Sequence, residues 1–290
     1  MRVLIVGCGY VGMRLGKDLA EAGHAVFGLR RTPAGADELM REGIRPLAAD
    51  VTKPAELERL PQQYDWVVYC AATSGGGTED YRALYLEGAR NLVAWLASRP
   101  PQKLLYTSST SVYGQDDGSL VTEESPSEPA TETGRILVAA ERVFLEAAES
   151  RKLPAVVLRL AGIYGPGRGY WLKQFLSGEA RLEGEGLRLL NMIHCDDVAG
   201  GIIAAVERGK AGEIYNAVDD EPVSQRVMFE WLANKLGREL PPVTAAASGS
   251  KRGATNKQVS NRKLKEQLAY RFKYPTFREG FAAELDRLKL

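Results

Sequence analysis

A glycine-rich turn near the N-terminus constrains the fold of this 290-residue chain more than any other feature. Its glycines are spaced G-x-G-x-x-G, directly after the apolar run 3–6 and directly before a helical pattern. Glycines at this spacing permit a tight turn and bring backbone N–H groups close to a pyrophosphate, whereas the alternative is an ordinary βα turn without a ligand. The turn predicts a dinucleotide site made of Gly7, Cys8, Gly9, Tyr10, Val11 and Gly12.

The rest of the first half alternates short apolar runs with helical patterns. The runs are 3–6, 25–29, 66–70, 104–107 and 155–160. Near-continuous apolar strands separated by helices indicate a parallel sheet covered on both faces. The chain is therefore predicted to be an α/β protein with a Rossmann-type, doubly wound parallel sheet.

The helical and strand pattern loosens after Leu160. We predict a Rossmann domain over residues 1–160, to which residues 191–216 return. Residues 161–190 and 217–290 are predicted to form a smaller, interleaved C-terminal α/β lobe for the substrate. Within that lobe, Ser224 can begin a helix and Gly237 can end it.

Two segments are predicted to be loops from their composition alone. Residues 74–78 are rich in glycine and are a candidate lid beside the cofactor, with an ordinary loop as the alternative. Residues 241–256 are rich in Pro, Ala, Ser and Gly and predict a surface loop.

Composition narrows the classes of partner. The formal net charge of +1 gives no reason to expect nucleic acid or an anionic membrane. No apolar run reaches the roughly 18–20 residues of a membrane span, and residues 1–6 lead into the turn without a cleavage-site pattern. Three cysteines lack metal-ligand or disulfide spacing, so we expect no metal and a cytoplasmic location.

The end of the second predicted strand bears on the choice of cofactor. An NAD enzyme usually has Asp or Glu there to bind the ribose 2′-hydroxyl, but this chain has Arg30 and Arg31. A guanidinium can bind the 2′-phosphate of NADP, which a carboxylate would repel. The pair favours NADP, with NAD as the alternative, unless both arginines are simply solvated.

Other residues at the carboxyl ends of strands are expected to contact the cofactor, because open α/β sheets bind ligands at that edge. Asp50 and Val51 follow the third strand and are placed to reach the adenine end. Cys70, Ala71 and Ala72 follow the fourth strand, where small residues let the cofactor lie close to the backbone.

Further motifs make the chain resemble the extended short-chain dehydrogenase/reductases, in particular the NAD-dependent epimerase/dehydratase group. The resemblance covers nearly the whole chain and rests on the glycine turn, on Asp50-Val51 and on segments 106–114, 158–167, 193–198 and 214–217. It implies that Thr107, in the first of these segments, lies at the cofactor.

The catalytic tetrad of that family is largely missing. Ser109 matches the family's Ser, but Thr133 stands at the Tyr position, Leu137 at the Lys position and Tyr85 at the Asn position. In the family, the Tyr is the acid/base and the Lys lowers the pKa of that Tyr. A Thr hydroxyl is too weak an acid to replace the phenol, and Leu137 carries no charge. The glycine turn is also one residue shorter than the family's usual G-x-x-G-x-x-G.

Some other group must then handle the proton if the chain is an enzyme. The candidates are Tyr85, which could place a phenol near the vacated site, and Tyr113, which follows Ser109 by four residues. Pocket-wall packing is the alternative for Tyr113.

The resemblance also implies a substrate site in the C-terminal lobe, where relatives often bind nucleotide-sugars. Basic side chains could hold a phosphate or carboxylate, and a Trp could stack on a ring. The alternatives are packing for Tyr164, a solvated loop around Arg168 and Lys173, and a purely structural role for His194. The candidates are Tyr164, Arg168, Trp171, Lys173 and His194.

Three functions follow from these observations. The first is an NADP-dependent oxidoreductase or epimerase acting on a sugar or nucleotide-sugar-like substrate. The second is an inactive NADP(H)-binding redox sensor, favoured by the missing Tyr and Lys. The third, a UDP-sugar dehydrogenase, needs a second large domain for which the chain is too short. By resemblance, a homodimer through helices at about 80–98 and 134–150 is also possible.

Overall fold

The computed structural model describes residues 1–61, 63–73, 75, 77–150, 153–244 and 255–290. The two predicted loops lie partly outside the described residues, at Ser74, Gly76 and 245–254. The strands are β1 (Arg2–Val6), β2 (Ala25–Arg30), β3 (Arg45–Ala48), β4 (Trp66–Tyr69), β5 (Lys103–Ser109), β6 (Leu120–Val121), β7 (Ala155–Leu160), β8 (Gly162–Tyr164), β9 (Leu182–Glu183), β10 (Leu189–Leu190), β11 (Met192–His194), β12 (Ile214–Ala217), β13 (Val223–Ser224), β14 (Val243–Thr244) and β15 (Gln258–Val259).

The helices cover the sheet and build the smaller lobe. A π-helical segment, Arg82–Glu87, joins α4 to α5, and a 3₁₀ turn, Thr110–Val112, follows β5. Among the described residues, none of the helices is long and apolar enough to span a bilayer. The helices are α1 (Tyr10–Glu21), α2 (Ala36–Arg41), α3 (Pro54–Leu57), α4 (Thr78–Tyr81), α5 (Gly88–Leu96), α6 (Glu132–Ser150), α7 (Tyr170–Leu176), α8 (Cys195–Arg208), α9 (Gln225–Leu236), α10 (Arg262–Leu268) and α11 (Phe277–Leu288).

The central sheet confirms the predicted doubly wound architecture. Over the described residues it has seven strands in the order β12-β7-β5-β4-β1-β2-β3, and every neighbouring pair is parallel. The chain runs outward from β1 to β3, returns to β4 on the other side of β1, and continues to β12. This reversal places a crevice beyond the carboxyl ends of β1 and β4, where such sheets bind ligands.

Two hydrophobic cores divide the molecule. The larger core contains the sheet and the helices packed against it, and the smaller one lies in the C-terminal lobe around Phe175, Phe229 and Phe281. The boundary differs from the predicted one at residues 259–268, because Val259 and Leu264 pack in the larger core, whereas Phe281 packs in the smaller one as predicted. The sequence pattern could not show this, since an apolar helical stripe does not identify the core that it faces.

Local capping predictions in the smaller lobe are confirmed. The Ser224 hydroxyl accepts a hydrogen bond of 3.2 Å from the Val227 N–H at the start of α9. Gly237 ends the same helix in the left-handed conformation, with φ at 61°. Both follow from backbone chemistry: a hydroxyl satisfies a helix N–H, and glycine adopts positive φ without a side-chain clash.

Candidate functional site

A cleft of about 990 Å³ opens along the carboxyl edge of the sheet. It extends from the glycine turn past the ends of β4 and β5 to the segment after β7. The structure brings most of the predicted cofactor residues to its wall: Gly7, Gly9, Tyr10, Val11, Arg30, Arg31, Asp50, Val51, Cys70, Ala71, Ala72 and Thr107.

The glycine turn can hold a dinucleotide because its backbone comes close to its neighbours. Gly7 has φ at 89°, and a Cβ on this residue would overlap the backbone of Ala71. A Cβ on Gly12 would lie 2.8 Å from the Gly7 carbonyl oxygen, whereas one on Gly9 would meet nothing within 4 Å. The first N–H groups of α1 have no acceptor inside the helix, so they are available to an anion at this turn.

Cys8 and Gly12 shape the turn and, unlike the other residues predicted at the cofactor, do not line the cleft. The Cys8 N–H donates to the Leu29 carbonyl at 3.0 Å, and its side chain is fully buried. The Cys8 Sγ lies only 2.8 Å from where a Cβ on Gly28 would stand. Burial raises the pKa of the Cys8 thiol to about 12, which leaves it unreactive at neutral pH.

Arg30 and Arg31 have different surroundings. The Arg30 Nε donates to the Cys8 carbonyl at 2.7 Å, and its Nη2 pairs with Glu38 at 3.2 Å. Arg31 is exposed, and no polar partner for its guanidinium is found among the described residues. Arg30 therefore stabilises the glycine turn through a hydrogen bond, whereas the guanidinium of Arg31 is available to a ligand at the cleft wall.

Side-chain hydrogen bonds hold the cleft wall around Asp50 and in the middle of the cleft. The Asp50 Oδ1 accepts bonds from the Thr52 N–H at 3.0 Å and from the Thr52 hydroxyl at 2.7 Å. The Cys70 thiol donates to the Gly7 carbonyl at 3.5 Å, which ties the end of β4 to the glycine turn. The Thr107 hydroxyl donates to the Tyr69 carbonyl at 3.3 Å. These contacts hold the strand ends at a fixed spacing along the cleft.

Ser109 and Leu137 lie at the far end of the cleft. The Ser109 Oγ accepts a bond of 3.1 Å from the Ser111 N–H, which leaves the hydroxyl proton to donate elsewhere. Leu137 is buried on α6 and forms part of the wall. Thr133, by contrast, does not line the cleft, and its hydroxyl donates to Thr131 at 3.4 Å. The family's Lys position therefore contributes an apolar wall, and its Tyr position does not line the cleft.

Two tyrosines line the same end, one from the π-helical segment and one from the end of α4. The rings of Tyr81 and Tyr85 are 4.3 Å apart, and both residues line the cleft. Burial and the neighbouring Tyr85 phenol raise the pKa of Tyr81, so it stays protonated at neutral pH. Tyr81 was not predicted, although its i,i+4 spacing from Tyr85 on a helix was a usable indication.

Tyr113 is not at the cleft, and the prediction that it acts as an acid/base is wrong. Its side chain is fully buried, and its hydroxyl donates to the Asn216 Oδ1 at 2.9 Å. The Arg159 guanidinium carbon lies 4.8 Å from the centre of its ring. The 3₁₀ turn after Ser109 redirects the chain, so four residues of separation carry Tyr113 into the core.

His194 and Tyr164 are structural, which corrects their assignment to the substrate. The His194 Nδ1 accepts a 3.1 Å bond from the Asp196 N–H at the start of α8, and its Nε2 is 3.2 Å from a Glu284 oxygen. Tyr164 is buried against His194 and Phe281, with ring centroids 5.3 and 4.9 Å away. Packing of α11 against β11 buries both rings.

Trp171 and Lys173 also lie outside the cleft, so the structure does not bring them together with the other predicted site residues. Trp171 is half-buried in the smaller lobe, with its ring 6.1 Å from that of Phe229. Lys173 is exposed on α7 and does not line the cleft. Of the five predicted substrate residues, Arg168 alone lines the described part of the cleft.

A group of possible metal ligands occurs behind the glycine turn. His194, Cys195 and Asp196 place one ligand atom each within 4.8 Å of one another. The Asp196 carboxylate already pairs with Lys273 at 2.7 Å and with Arg14 at 3.3 Å. Because the same groups also cap α8 and form ion pairs, the cluster is explained as a structural network.

Comparison with known proteins agrees with the geometry. The model of the NAD dependent epimerase/dehydratase family matches residues 3–217. Protein YeeZ from Escherichia coli (strain K12) is 31% identical over 283 residues, covering 94% of this chain and 96% of YeeZ. A 2-alkyl-3-oxoalkanoate reductase from Shewanella oneidensis is 28% identical over 257 residues, covering 81% of this chain and 65% of that protein.

A solved structure shares the whole fold. The dTDP-glucose 4,6-dehydratase from Bacillus anthracis, in complex with NAD, matches with a TM-score of 0.85 and 19% identity, covering 100% of this chain and 96% of that one. At this identity the likeness concerns the fold alone, whereas the family model covers most of the chain. The chain belongs to the NAD-dependent epimerase/dehydratase family.

Proposed function

We propose that the protein is an NADP(H)-dependent oxidoreductase that reduces the carbonyl group of a small molecule. The observation that carries the proposal is a single cleft with a glycine turn at one end and Ser109 with Tyr85 at the other. The close approach of Gly7 to Ala71 fits the tight turn of a dinucleotide site, because a side chain on Gly7 would overlap the Ala71 backbone and force the turn apart.

The preference for NADP(H) is assigned to Arg31. Its exposed guanidinium lies at the cleft wall beside the end of β2, where the ribose of a dinucleotide is expected. A 2′-phosphate there gains a charge-assisted hydrogen bond, and Arg30 remains engaged with the Cys8 carbonyl. Arg30 acts as a positioning residue for the turn.

The chemistry at the far end follows from two hydroxyl groups. A bound nicotinamide supplies a hydride to a carbonyl carbon, and the carbonyl oxygen then needs a proton. Ser109 can donate a hydrogen bond to that oxygen, because its own lone pair already accepts from Ser111. Tyr85 lines the same end and can donate the proton.

The charges at the far end of the cleft bear on the direction of the reaction. Oxidation of an alcohol, and therefore epimerisation through a ketone, needs a base, and the family obtains it from a Tyr whose pKa is lowered by a Lys. Here the Lys position is Leu137, and the pKa of Tyr81 is raised. Protonated phenols donate protons but do not accept them, which favours reduction over epimerisation.

The far end of the cleft favours a substrate with an apolar body. Leu137, Leu160 and Ile163 line it, whereas Trp171, Lys173 and His194, which were expected to hold a nucleotide-sugar, lie elsewhere. The name of the Shewanella oneidensis relative, a reductase of 2-alkyl-3-oxoalkanoates, is compatible with a carbonyl on an apolar chain. A sugar carbonyl is the alternative.

A second candidate, a redox sensor without turnover, is favoured by Leu137. A buried apolar residue at the Lys position leaves no charge beside the phenols to tune them. This function predicts different affinities for NADP⁺ and NADPH and no consumption of NADPH with any carbonyl compound.

The proposal is tested by titrating NADPH and NADH into wild type, Arg31→Ala and Arg30→Ala. Wild type should bind NADPH at least tenfold more tightly than NADH, which is about 1.4 kcal/mol. Arg31→Ala should remove that preference, and Arg30→Ala should lower the affinity for both cofactors equally. A screen of aliphatic ketones, β-keto acids and sugars then follows NADPH oxidation. Failure of wild type to bind either cofactor would overturn both candidate functions.

We further propose a cytoplasmic location and a homodimer through the helices at about 80–98 and 134–150. These proposals rest on the cysteine pattern and on the family resemblance, respectively. An elution volume matching a monomer would contradict the homodimer.

A further inference from the structure

Arg168 lies across the cleft from the glycine turn. Its guanidinium carbon is 5.1 Å from the centre of the Tyr10 ring, and both residues line the cleft. Tyr10 is the first residue of α1 and belongs to the glycine turn. Arg168 is exposed and, among the described residues, forms no ion pair with a carboxylate. A guanidinium without a carboxylate partner therefore lies over the ring of Tyr10, a residue of the glycine turn at which a diphosphate is expected.

A tight turn holds Arg168 in this position. The Gly165 N–H donates to the Arg168 carbonyl at 3.0 Å, and the Arg168 N–H donates back to the Gly165 carbonyl at 2.9 Å. Gly165 has φ at 144°, and a Cβ on it would lie 2.6 Å from the Cys195 Sγ and 2.9 Å from the Tyr10 hydroxyl. The turn rests directly on Tyr10, so its distance from the glycine turn is set by packing.

We infer that Arg168 binds the diphosphate of the dinucleotide cofactor and is not part of the substrate site. The inference rests on the proposed function. The glycine turn and Arg168 line the same cleft, and a diphosphate is the dianion that a cofactor brings to the first N–H groups of α1. A guanidinium can bind two phosphate oxygens at once, and stacking on Tyr10 fixes its plane.

This role has a consequence for the substrate. Arg168 is the only residue of the predicted basic substrate set that lines the described cleft. If its charge is satisfied by the cofactor, that set leaves no cation for a phosphate or carboxylate of the substrate.

The test compares Arg168→Met with wild type and with Lys173→Met, a matched exposed cation of the same lobe outside the cleft. Titrations use NADPH, NADH, ADP-ribose and AMP as probes, without any substrate. Arg168→Met should raise the Kd values for NADPH, NADH and ADP-ribose by the same factor, about tenfold. The Kd for AMP should stay nearly unchanged. Lys173→Met should change none of them. Arg168→Lys should recover part of the loss, because a point charge replaces a two-pronged donor.

The outcomes separate this inference from the proposed function. Unchanged dinucleotide affinities in Arg168→Met, together with a raised KM for a carbonyl substrate, would place Arg168 in the substrate site and overturn the inference alone. A loss confined to NADPH would assign Arg168 to the 2′-phosphate and also overturn it. If wild type bound no dinucleotide, the proposed function and this inference would fail together.

Discussion

The two halves of the cleft are built differently. The half that is proposed to bind the cofactor is formed by the glycine turn and by residues that directly follow the ends of β2 and β4. The catalytic half is formed by side chains from the π-helical segment, β5 and α6, which are far apart in sequence. Its residues have also departed from the family pattern. A binding site made of backbone can therefore persist while the reactive side chains around it change.

The largest expected effect tests the backbone nature of the cofactor half. Gly7→Ala introduces a Cβ at positive φ against Ala71, so it should lower the free energy of unfolding by about 1–3 kcal/mol and abolish dinucleotide binding. Gly9→Ala is the matched control, since its Cβ meets nothing within 4 Å in the unliganded turn. It should change stability by less than about 0.5 kcal/mol but still weaken NADPH. Urea unfolding and titration measure both. Equal stability of the two variants would contradict a turn built on close backbone approach.

The next effect concerns the side chains of the catalytic half. Tyr85→Phe and Ser109→Ala should each lower kcat for carbonyl reduction by about 10²-fold or more, because each removes a proton donor at the reacting oxygen. The Kd for NADPH should stay within about twofold. Kinetics with the best substrate of the screen, beside direct titration, would check this. An unchanged kcat in Tyr85→Phe would indicate that Tyr81, and not Tyr85, is the proton donor.

A pH effect is expected behind the catalytic half, at Lys257. This buried amine donates to the Tyr113 carbonyl and to the Thr255 hydroxyl, each at 2.9 Å. Burial lowers the pKa of Lys257 from 10.5 to about 8 in the folded state. The unfolded chain therefore binds more protons between pH 8 and 10.5, so this group makes stability rise with pH across that window.

The measurement is urea unfolding of wild type and Lys257→Met at pH 7.5 and 10. The free energy of unfolding of Lys257→Met minus that of wild type should be larger at pH 7.5 than at pH 10, by about 1–2 kcal/mol. A difference that did not change with pH would show that the amine keeps its ordinary pKa in the fold.

The smallest effect distinguishes Tyr113 from Tyr85. Tyr113→Phe removes the hydrogen bond to Asn216 and should cost about 1 kcal/mol of stability, with kcat and the Kd for NADPH unchanged. Thermal unfolding and steady-state kinetics would measure this. A large loss of kcat without a loss of stability would show that Tyr113 has a catalytic role.

The predictions from sequence succeeded where structure is local. The strands, the glycine turn and the Ser224 cap each depend on periodicity or on a hydrogen bond within a few residues, and all of them occur as predicted. Predictions failed at Tyr113 and His194, where the decisive partner, Asn216 or Glu284, lies roughly a hundred residues away. No local pattern encodes a contact at that separation.

By itself, the sequence determined the doubly wound sheet, the family and the glycine turn that follows the first strand, because glycine spacing and apolar periodicity act through backbone geometry. Tertiary structure decided which of two adjacent arginines is held by hydrogen bonds at the cleft, and which of several tyrosines line it. It also placed Arg168 over Tyr10. Those outcomes depend on which elements pack together, and side-chain burial and hydrogen-bond partners follow from that packing alone.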